Sequence, residues 1–172
     1  MADDYGSIAF YRYDPRAVLF PEEFHCPRRL QRLARRPPYE IRLNTAAEEV
    51  IRGCAERPRT WISTELVTIY VELHRRGLVH SLEAWRSGRL CGGLYGVALG
   101  GIFCGESMFA RAPDASKICL VHLVERLKQR GYLLLDCQQE TAHMARFGAR
   151  AISGREYQVW LQRALELDRS FV

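Results

Sequence analysis

The residues best suited to chemistry in this chain gather in two places. Glu106 is a lone carboxylate inside the apolar run Ile102-Phe103-Cys104-Gly105-Glu106-Ser107-Met108-Phe109. Asp136, Gln138 and Gln139 close the almost wholly apolar run from Tyr132 to Cys137. A carboxylate taken out of water without partners costs several kcal/mol, so Glu106 implies neighbouring donors or a ligand. The competing reading is a strand that turns Glu106 to solvent. Polar groups at the carboxyl end of a buried strand occupy a favoured position for ligand sites in sheets backed by helices. Asp136 could instead cap a short helix around Thr141 to Arg146.

Two further features could meet a ligand. Arg28, Arg32, Arg35 and Arg36 fan out opposite the stripe Leu30, Leu33 and Ala34 on a helix that begins at Pro27 and stops before Pro37-Pro38. Such a face binds a phosphate backbone through charge and counterion release, or is an ordinary solvated surface. Trp61 stands just outside a helix cap, where it is either a packing staple or an aromatic plate for a base.

Several chemistries are excluded by pattern. The six cysteines, Cys26, Cys54, Cys91, Cys104, Cys119 and Cys137, show neither a C-x-x-C pair nor matched His spacing, which argues against zinc and against a redox motif. No P-loop, dinucleotide fingerprint or G-x-S-x-G elbow occurs. The nearest approach to a pyrophosphate turn, Arg89-Leu90-Cys91-Gly92-Gly93-Leu94, runs into a strand, which disfavours coenzyme A.

The elements that must position these residues are legible in outline. Residues 1–24 read as an irregular lead-in with short extended pieces, a turn at Asp14-Pro15 and a brief apolar run from Ala17 to Phe20. Tyr39 to Leu43 is a strand, and Thr45 can cap a helix through Cys54. Ser63 or Thr64 caps a helix that Gly77 ends. Val79 to Arg86 pairs with Leu90 to Ala98 through Ser87-Gly88, and Gly100-Gly101 turns into Ile102 to Gly105, giving an antiparallel meander. Asp114 or Ser116 caps a long helix closed by Gly131, then comes the buried strand Tyr132 to Cys137. Ser153-Gly154-Arg155-Glu156 is a capping box for a last helix with the stripe Tyr157, Trp160, Leu161, Ala164 and Leu165. The order meander, helix, strand, helix predicts an α+β fold of the N-acetyltransferase (GNAT-like) kind, a mixed sheet flanked by helices. Residues 1–60 form a lead-in and basic helical segment within the same unit, and 61–172 the catalytic domain.

Length and composition agree with one soluble unit. The 172 residues are 48% hydrophobic and 26% charged, and no apolar run approaches the roughly 20 residues of a membrane span. Without a secretory leader the chain is expected in the cytoplasm. A net charge of +5, with the basic residues nearly all arginine, points to an anionic partner.

One family joins these features. Asp14-Pro15-Arg16-Ala17-Val18-Leu19, Trp61-Ile62-Ser63, His80-Ser81-Leu82-Glu83-Ala84-Trp85, Gly92-Gly93-Leu94-Tyr95-Gly96-Val97, Phe103 to Phe109, Ala115-Ser116-Lys117 and Leu135-Asp136-Cys137-Gln138 resemble, in order and spacing, the leucyl/phenylalanyl-tRNA-protein transferases. The resemblance implies an aminoacyltransferase of the N-degron pathway. It would move leucine, phenylalanine or methionine from aminoacyl-tRNA to proteins whose amino terminus is Arg or Lys, as a monomer and with no metal, nucleotide or coenzyme. By position, Leu94, Phe103, Met108, Leu120, Leu123, Leu127 and Leu135 match the aminoacyl pocket. Trp61 matches the contact to the terminal adenosine, and Arg28, Arg32, Arg35 and Arg36 the contact to the tRNA backbone. Asp136, Gln138 and Glu106 match the reaction centre. The chain resembles a short form lacking most of the family's amino-terminal domain. The alternatives are a noncatalytic tRNA-binding relative and a small-molecule N-acyltransferase.

Overall fold

A computed structural model of the protein describes residues 8, 9, 11–56 and 60–172. Its strands are β1 (Arg16–Leu19), β2 (Glu40–Leu43), β3 (Val79–Arg86), β4 (Arg89–Leu99), β5 (Ile102–Ala110), β6 (Leu134–Gln138) and β7 (Arg150–Ile152). Its helices are α1 (Arg28–Arg35), α2 (Ala47–Ala55), α3 (Thr64–Arg75), α4 (Ala115–Arg130), α5 (Ala142–Ala145) and α6 (Gly154–Leu165). The strands form one mixed sheet in the order β2-β3-β4-β5-β6-β1-β7. Among the described strands only β5 and β6 pair in parallel, and α4 makes the crossover that a parallel pair requires.

Successive strand residues point to opposite faces, and this alternation sorts the core into layers. Leu19, Phe103 and Leu135 pack with Leu30 and Ala34 of α1 and with the apolar side of α4. Their chain neighbours Val18, Ile102 and Leu134 pack on the other face against Tyr157, Trp160, Leu161 and Ala164 of α6. Further along that face Tyr95, Phe109 and Val79 meet α2 and α3.

Local signals hold at many boundaries. Ser63 accepts a bond from Leu66 N and Ser153 from Glu156 N, at 3.2–3.3 Å, whereas α5 is capped by Thr141, which accepts from Met144 N at 3.2 Å, and not by Asp136. Gly77 and Gly131 take positive φ at the ends of α3 and α4. Ser87 and Gly88 both have positive φ, the geometry of a tight two-residue hairpin.

Other expectations are corrected. The apolar run in the presumed lead-in is an interior strand: β1 lies between β6 and β7, with Ala17, Val18 and Leu19 wholly buried. β5 continues beyond Gly105 to Ala110, because its pairing with β4 persists as far as Gly92. Thr45 does not cap α2. The capping group is the wholly buried Glu83 carboxylate, which accepts Thr45 N at 2.9 Å and Ala46 N at 3.0 Å. Glu83 also accepts the hydroxyls of Thr45 and Ser81 and the Trp85 indole. Asp114 stands at the start of α4 without capping it, its carboxylate being taken by Arg29 and Lys117. Leu165, assigned to the buried stripe of α6, is exposed, since that stripe meets the sheet only as far as Ala164.

Candidate active site

The site is made by a break in the sheet. The ladder between β5 and β6 pairs Ile102 with Leu134, Phe103 with Leu135 and Cys104 with Asp136, and ends there. β5 then continues against β4 alone, and a cavity of about 230 Å³ occupies the opening. Its apolar wall comes from Leu94 of β4, Met108 of β5, Leu120 and Leu123 of α4, Leu135 of β6 and Met144 of α5. Its polar edge is Glu106 and Asp136, and Trp61 also lines it. Leu94, Met108, Leu120, Leu123 and Leu135 are thus brought together. Phe103 and Leu127 are wholly buried in the same core cluster but do not line the cavity.

Glu106 sits in a bulge. Tyr95 pairs with Ser107 and Gly96 with Gly105, so Glu106 is the extra residue of β5. Bulges re-aim side chains, and this one sends the carboxylate toward α3, where Tyr70 donates to Oε2 at 2.9 Å. The Gln138 carboxamide donates to the same oxygen at 3.3 Å and to Gly105 O at 3.4 Å. Burial pushes the Glu106 carboxyl above its ordinary value, the bonds from Tyr70 and Gln138 pull it back, and the charge of Asp136 raises it further. The Tyr70 hydroxyl is pushed up by burial and then by Glu106, so it stays a donor. Gly96 is required opposite the bulge, because a Cβ would run into Cys104 O and the Phe103 ring.

Asp136 is wholly buried and fully engaged. Arg16 donates from Nε to Oδ1 at 3.0 Å and from Nη2 to Oδ2 at 2.7 Å. Tyr157 of α6 donates to Oδ2 at 2.7 Å, and the backbone N–H of Gln138 to Oδ1 at 2.8 Å. Asp136 therefore reaches Gln138 through its main chain, and the carboxamide is left to face Glu106. Gln138 has φ +63, a left-handed conformation that costs a non-glycine residue about 1–2 kcal/mol. It follows a second register shift, where Ala17 pairs with Gln138 but Val18 with Asp136. Asp136 does not cap a helix. Nearby, burial and then the charges of Asp136 and Glu106 push the Cys104 thiol up to about 12, so it is no nucleophile at neutral pH.

Trp61 packs edge-on to Tyr70 with ring centroids 6.5 Å apart, and it also lines a second groove of about 350 Å³ that reaches Glu106 and Gln138 from the α3 side. Arg28, Arg32, Arg35 and Arg36 are exposed, line neither cavity, and have no ion-pair partner among the described residues. Arg29 instead pairs with Asp114 at 2.7 Å, tying α1 to the start of α4. Arg16, Tyr70, Tyr157 and Met144 are site residues that sequence reasoning did not single out. Only Arg16 carried a signal, as part of the Asp14-Pro15-Arg16 motif. The six cysteines are free thiols. Among the described residues no cluster of three or more His, Cys, Asp or Glu is placed to hold a metal ion, and no helix is long and apolar enough to cross a membrane.

Comparison with known proteins agrees on one family. The family model for leucyl/phenylalanyl-tRNA protein transferase matches residues 18–162. A leucyl/phenylalanyl-tRNA–protein transferase of Rubrobacter xylanophilus is 55% identical over 99% of this chain and 90% of its own length. One from Herpetosiphon aurantiacus is 50% identical over 98% and 89%, and one from an Anaeromyxobacter species is 52% identical over 95% and 72%. Among solved structures, a conserved protein of unknown function from Staphylococcus epidermidis superposes with a TM-score of 0.51 at 10% identity, over 80% of this chain and 56% of that one. That likeness concerns the fold alone. A cavity that ends on two carboxylates, together with a match across most of the length, leads to one conclusion: the chain belongs to the leucyl/phenylalanyl-tRNA protein transferase family.

Proposed function

We propose that the protein transfers leucine, phenylalanine or methionine from aminoacyl-tRNA to the amino-terminal Arg or Lys of other proteins, marking them for degradation. It acts in the cytoplasm as a monomer, on a catalytic fold of the N-acetyltransferase kind, with residues 1–60 and 61–172 working as one unit. The observation that carries this is the cavity itself, apolar over most of its wall and closed at one edge by Glu106 and Asp136, with Gln138 bonded to Glu106. The aminoacyl side chain enters between Leu94, Met108, Leu120, Leu123 and Leu135, with Phe103 and Leu127 as the packed layer supporting them. Trp61 meets the terminal adenosine, and the free arginine face of α1 meets the tRNA backbone.

The reaction needs little acid–base help. An α-amino group has a pKa near 8, so on the order of a tenth is already unprotonated at pH 7. A base that removed the remaining protons would contribute about tenfold. Holding amine and ester together can contribute about 7–11 kcal/mol. The acceptor ammonium gives one proton to solvent water, and its freed lone pair attacks the ester carbonyl. The tetrahedral intermediate then expels the ribose oxygen, which takes a second proton from the nitrogen. Glu106 and Gln138 face this exchange and orient the amine. A carboxamide is a poor base and a good director of hydrogen bonds.

The test offers radiolabelled leucyl-tRNA to a protein beginning with arginine, with labelled acetyl-coenzyme A as control donor. Label passing from the tRNA to the arginine-starting protein, and not to one beginning with glycine, is the expected result. Label passing only from coenzyme A, or from neither donor, overturns the proposal.

A further inference from the structure

The Asp136 carboxylate is saturated. A carboxylate offers about four acceptor positions, and two N–H groups of Arg16, the Tyr157 hydroxyl and Gln138 N meet them. With no exposure to solvent it has no position left for the proton of an incoming amine. One of its bonds instead secures the main chain of Gln138 in its left-handed conformation, and that conformation aims the carboxamide at Glu106 and Gly105.

We infer that Arg16 and Tyr157 are positioning residues for aminoacyl transfer: they pin Asp136, and through it the backbone of Gln138, so that the carboxamide stands ready at the acceptor amine. This inference rests on the function proposed above. Both residues are placed by one short segment. Asp14 accepts the N–H of Gly154 at 2.9 Å at the head of α6, the helix that carries Tyr157. Two residues on, Arg16 opens β1, whose next residue pairs with Gln138. Gly154 is needed there, since a Cβ would stand 2.6 Å from the Asp14 carboxylate. Arg16 also lies over the Tyr157 ring, 5.0 Å from its centre, so the two donors hold each other as well as Asp136. Stability alone is a poor reason for the arrangement, because a buried ion pair is commonly no more stabilising than apolar residues of the same volume. The strand position otherwise continues the apolar run of Leu134 and Leu135.

The experiment measures single-turnover transfer rate, affinity for a nonhydrolysable leucyl-adenosine analogue and melting temperature in wild type, Tyr157→Phe, Arg16→Lys, Arg16→Met, Asp136→Asn and the Tyr157→Phe/Asp136→Asn double variant. Tyr157→Phe and Arg16→Met are expected to slow transfer by up to about 100-fold, the cost of a small misplacement of a positioned group, with analogue affinity within twofold of wild type. Arg16→Lys, which keeps the charge without the fork, should recover part of the loss. The double variant should be no slower than Asp136→Asn alone, because both changes act through one carboxylate. If rates stay within twofold, or if rate, affinity and melting temperature fall together in Tyr157→Phe, the inference is overturned while the transferase reading stands. If wild type itself transfers nothing, it is the transferase reading that has failed.

Discussion

Leu123→Ala separates pocket wall from packed core. Leu123 is 2% exposed and lines the cavity, whereas Leu127, one turn further along α4, is equally buried and does not. Either truncation removes three buried carbons, worth about 0.8 kcal/mol each. With partial relaxation the loss of stability falls at the lower end of the 2–5 kcal/mol range, about 2–3 kcal/mol. At about 2–4 °C per kcal/mol for a chain of this size, both variants should melt about 5–10 °C lower. Only Leu123→Ala should change selectivity. Enlarging the pocket by part of a side chain relieves the longer phenylalanyl group and strips packing from leucine, and hydrophobic pockets discriminate such differences by about 1–3 kcal/mol. The ratio of kcat/KM for phenylalanyl-tRNA over leucyl-tRNA should therefore rise about tenfold in Leu123→Ala and stay within twofold in Leu127→Ala. The assay is competition between the two charged tRNAs at equal concentration, with products resolved by mass. Equal ratios in the two variants, with both destabilised by about 2–3 kcal/mol, would refute the placement of the aminoacyl side chain against α4.

Glu106→Gln keeps acceptors for Tyr70 and Gln138 but removes a charge that burial disfavours. Because the folded carboxyl lies above its ordinary value of 4.5, its contribution to stability is fully present below that value and lost as pH rises through the folded one. The amide variant should therefore melt higher than wild type at pH 7.5, the gap closing as pH falls through the raised folded value toward 4.5, while transfer drops. A variant no more stable than wild type at pH 7.5 refutes this. Glu83→Gln retains an oxygen for Thr45 N, Ala46 N and the Ser81 hydroxyl but turns an amide toward the Trp85 indole. Losing a charge-assisted bond of about 1.5–3 kcal/mol and the favourable charge at the start of α2 should lower stability by about 2–4 kcal/mol in urea titration. The specific activity of the folded fraction should not change. A loss under about 1 kcal/mol contradicts the capping role.

Local rules made much of the fold legible. Ser63 and Ser153 cap the helices that follow them, Ser87-Gly88 closes the β3–β4 hairpin, and Gly131 ends α4. What escaped was set by residues distant in sequence. β1 is four residues long and its partner β6 lies about 120 residues away; β7 is three residues long. Their identity as strands comes from the sheet they complete. The site divides in the same way. Glu106, Asp136 and Gln138 stand out because polar groups in apolar runs demand partners, but the partners Arg16, Tyr70 and Tyr157 sit on elements whose own patterns look merely structural. Phe103 and Leu127 share the periodicity of the residues that line the cavity, and periodicity does not distinguish a lining side chain from the one packed behind it.

The bulge at Glu106 separates the carboxylate from the apolar lining of the cavity. In a regular β5, residues 104, 106 and 108 would share one face, placing a carboxylate and an apolar lining side chain together. With Glu106 bulged, the carboxylate turns to Tyr70 on α3 while Met108 joins the α4 side with Leu94. On the neighbouring β6 ordinary alternation is enough: Leu135 faces α4, and Asp136 faces α6 through Tyr157. Apolar lining and polar groups thus lie on opposite faces of one sheet, joined where the β5–β6 ladder stops. An aminoacyl ester has this division built in, since its side chain and its reactive carbonyl diverge from one α-carbon. Under the proposed function, the side chain of an aminoacyl ester would enter the apolar cavity lined by Leu94, Met108, Leu120, Leu123 and Leu135 while its carbonyl meets the edge formed by Glu106 and Asp136, and positioning would add to the activation that the ester already carries.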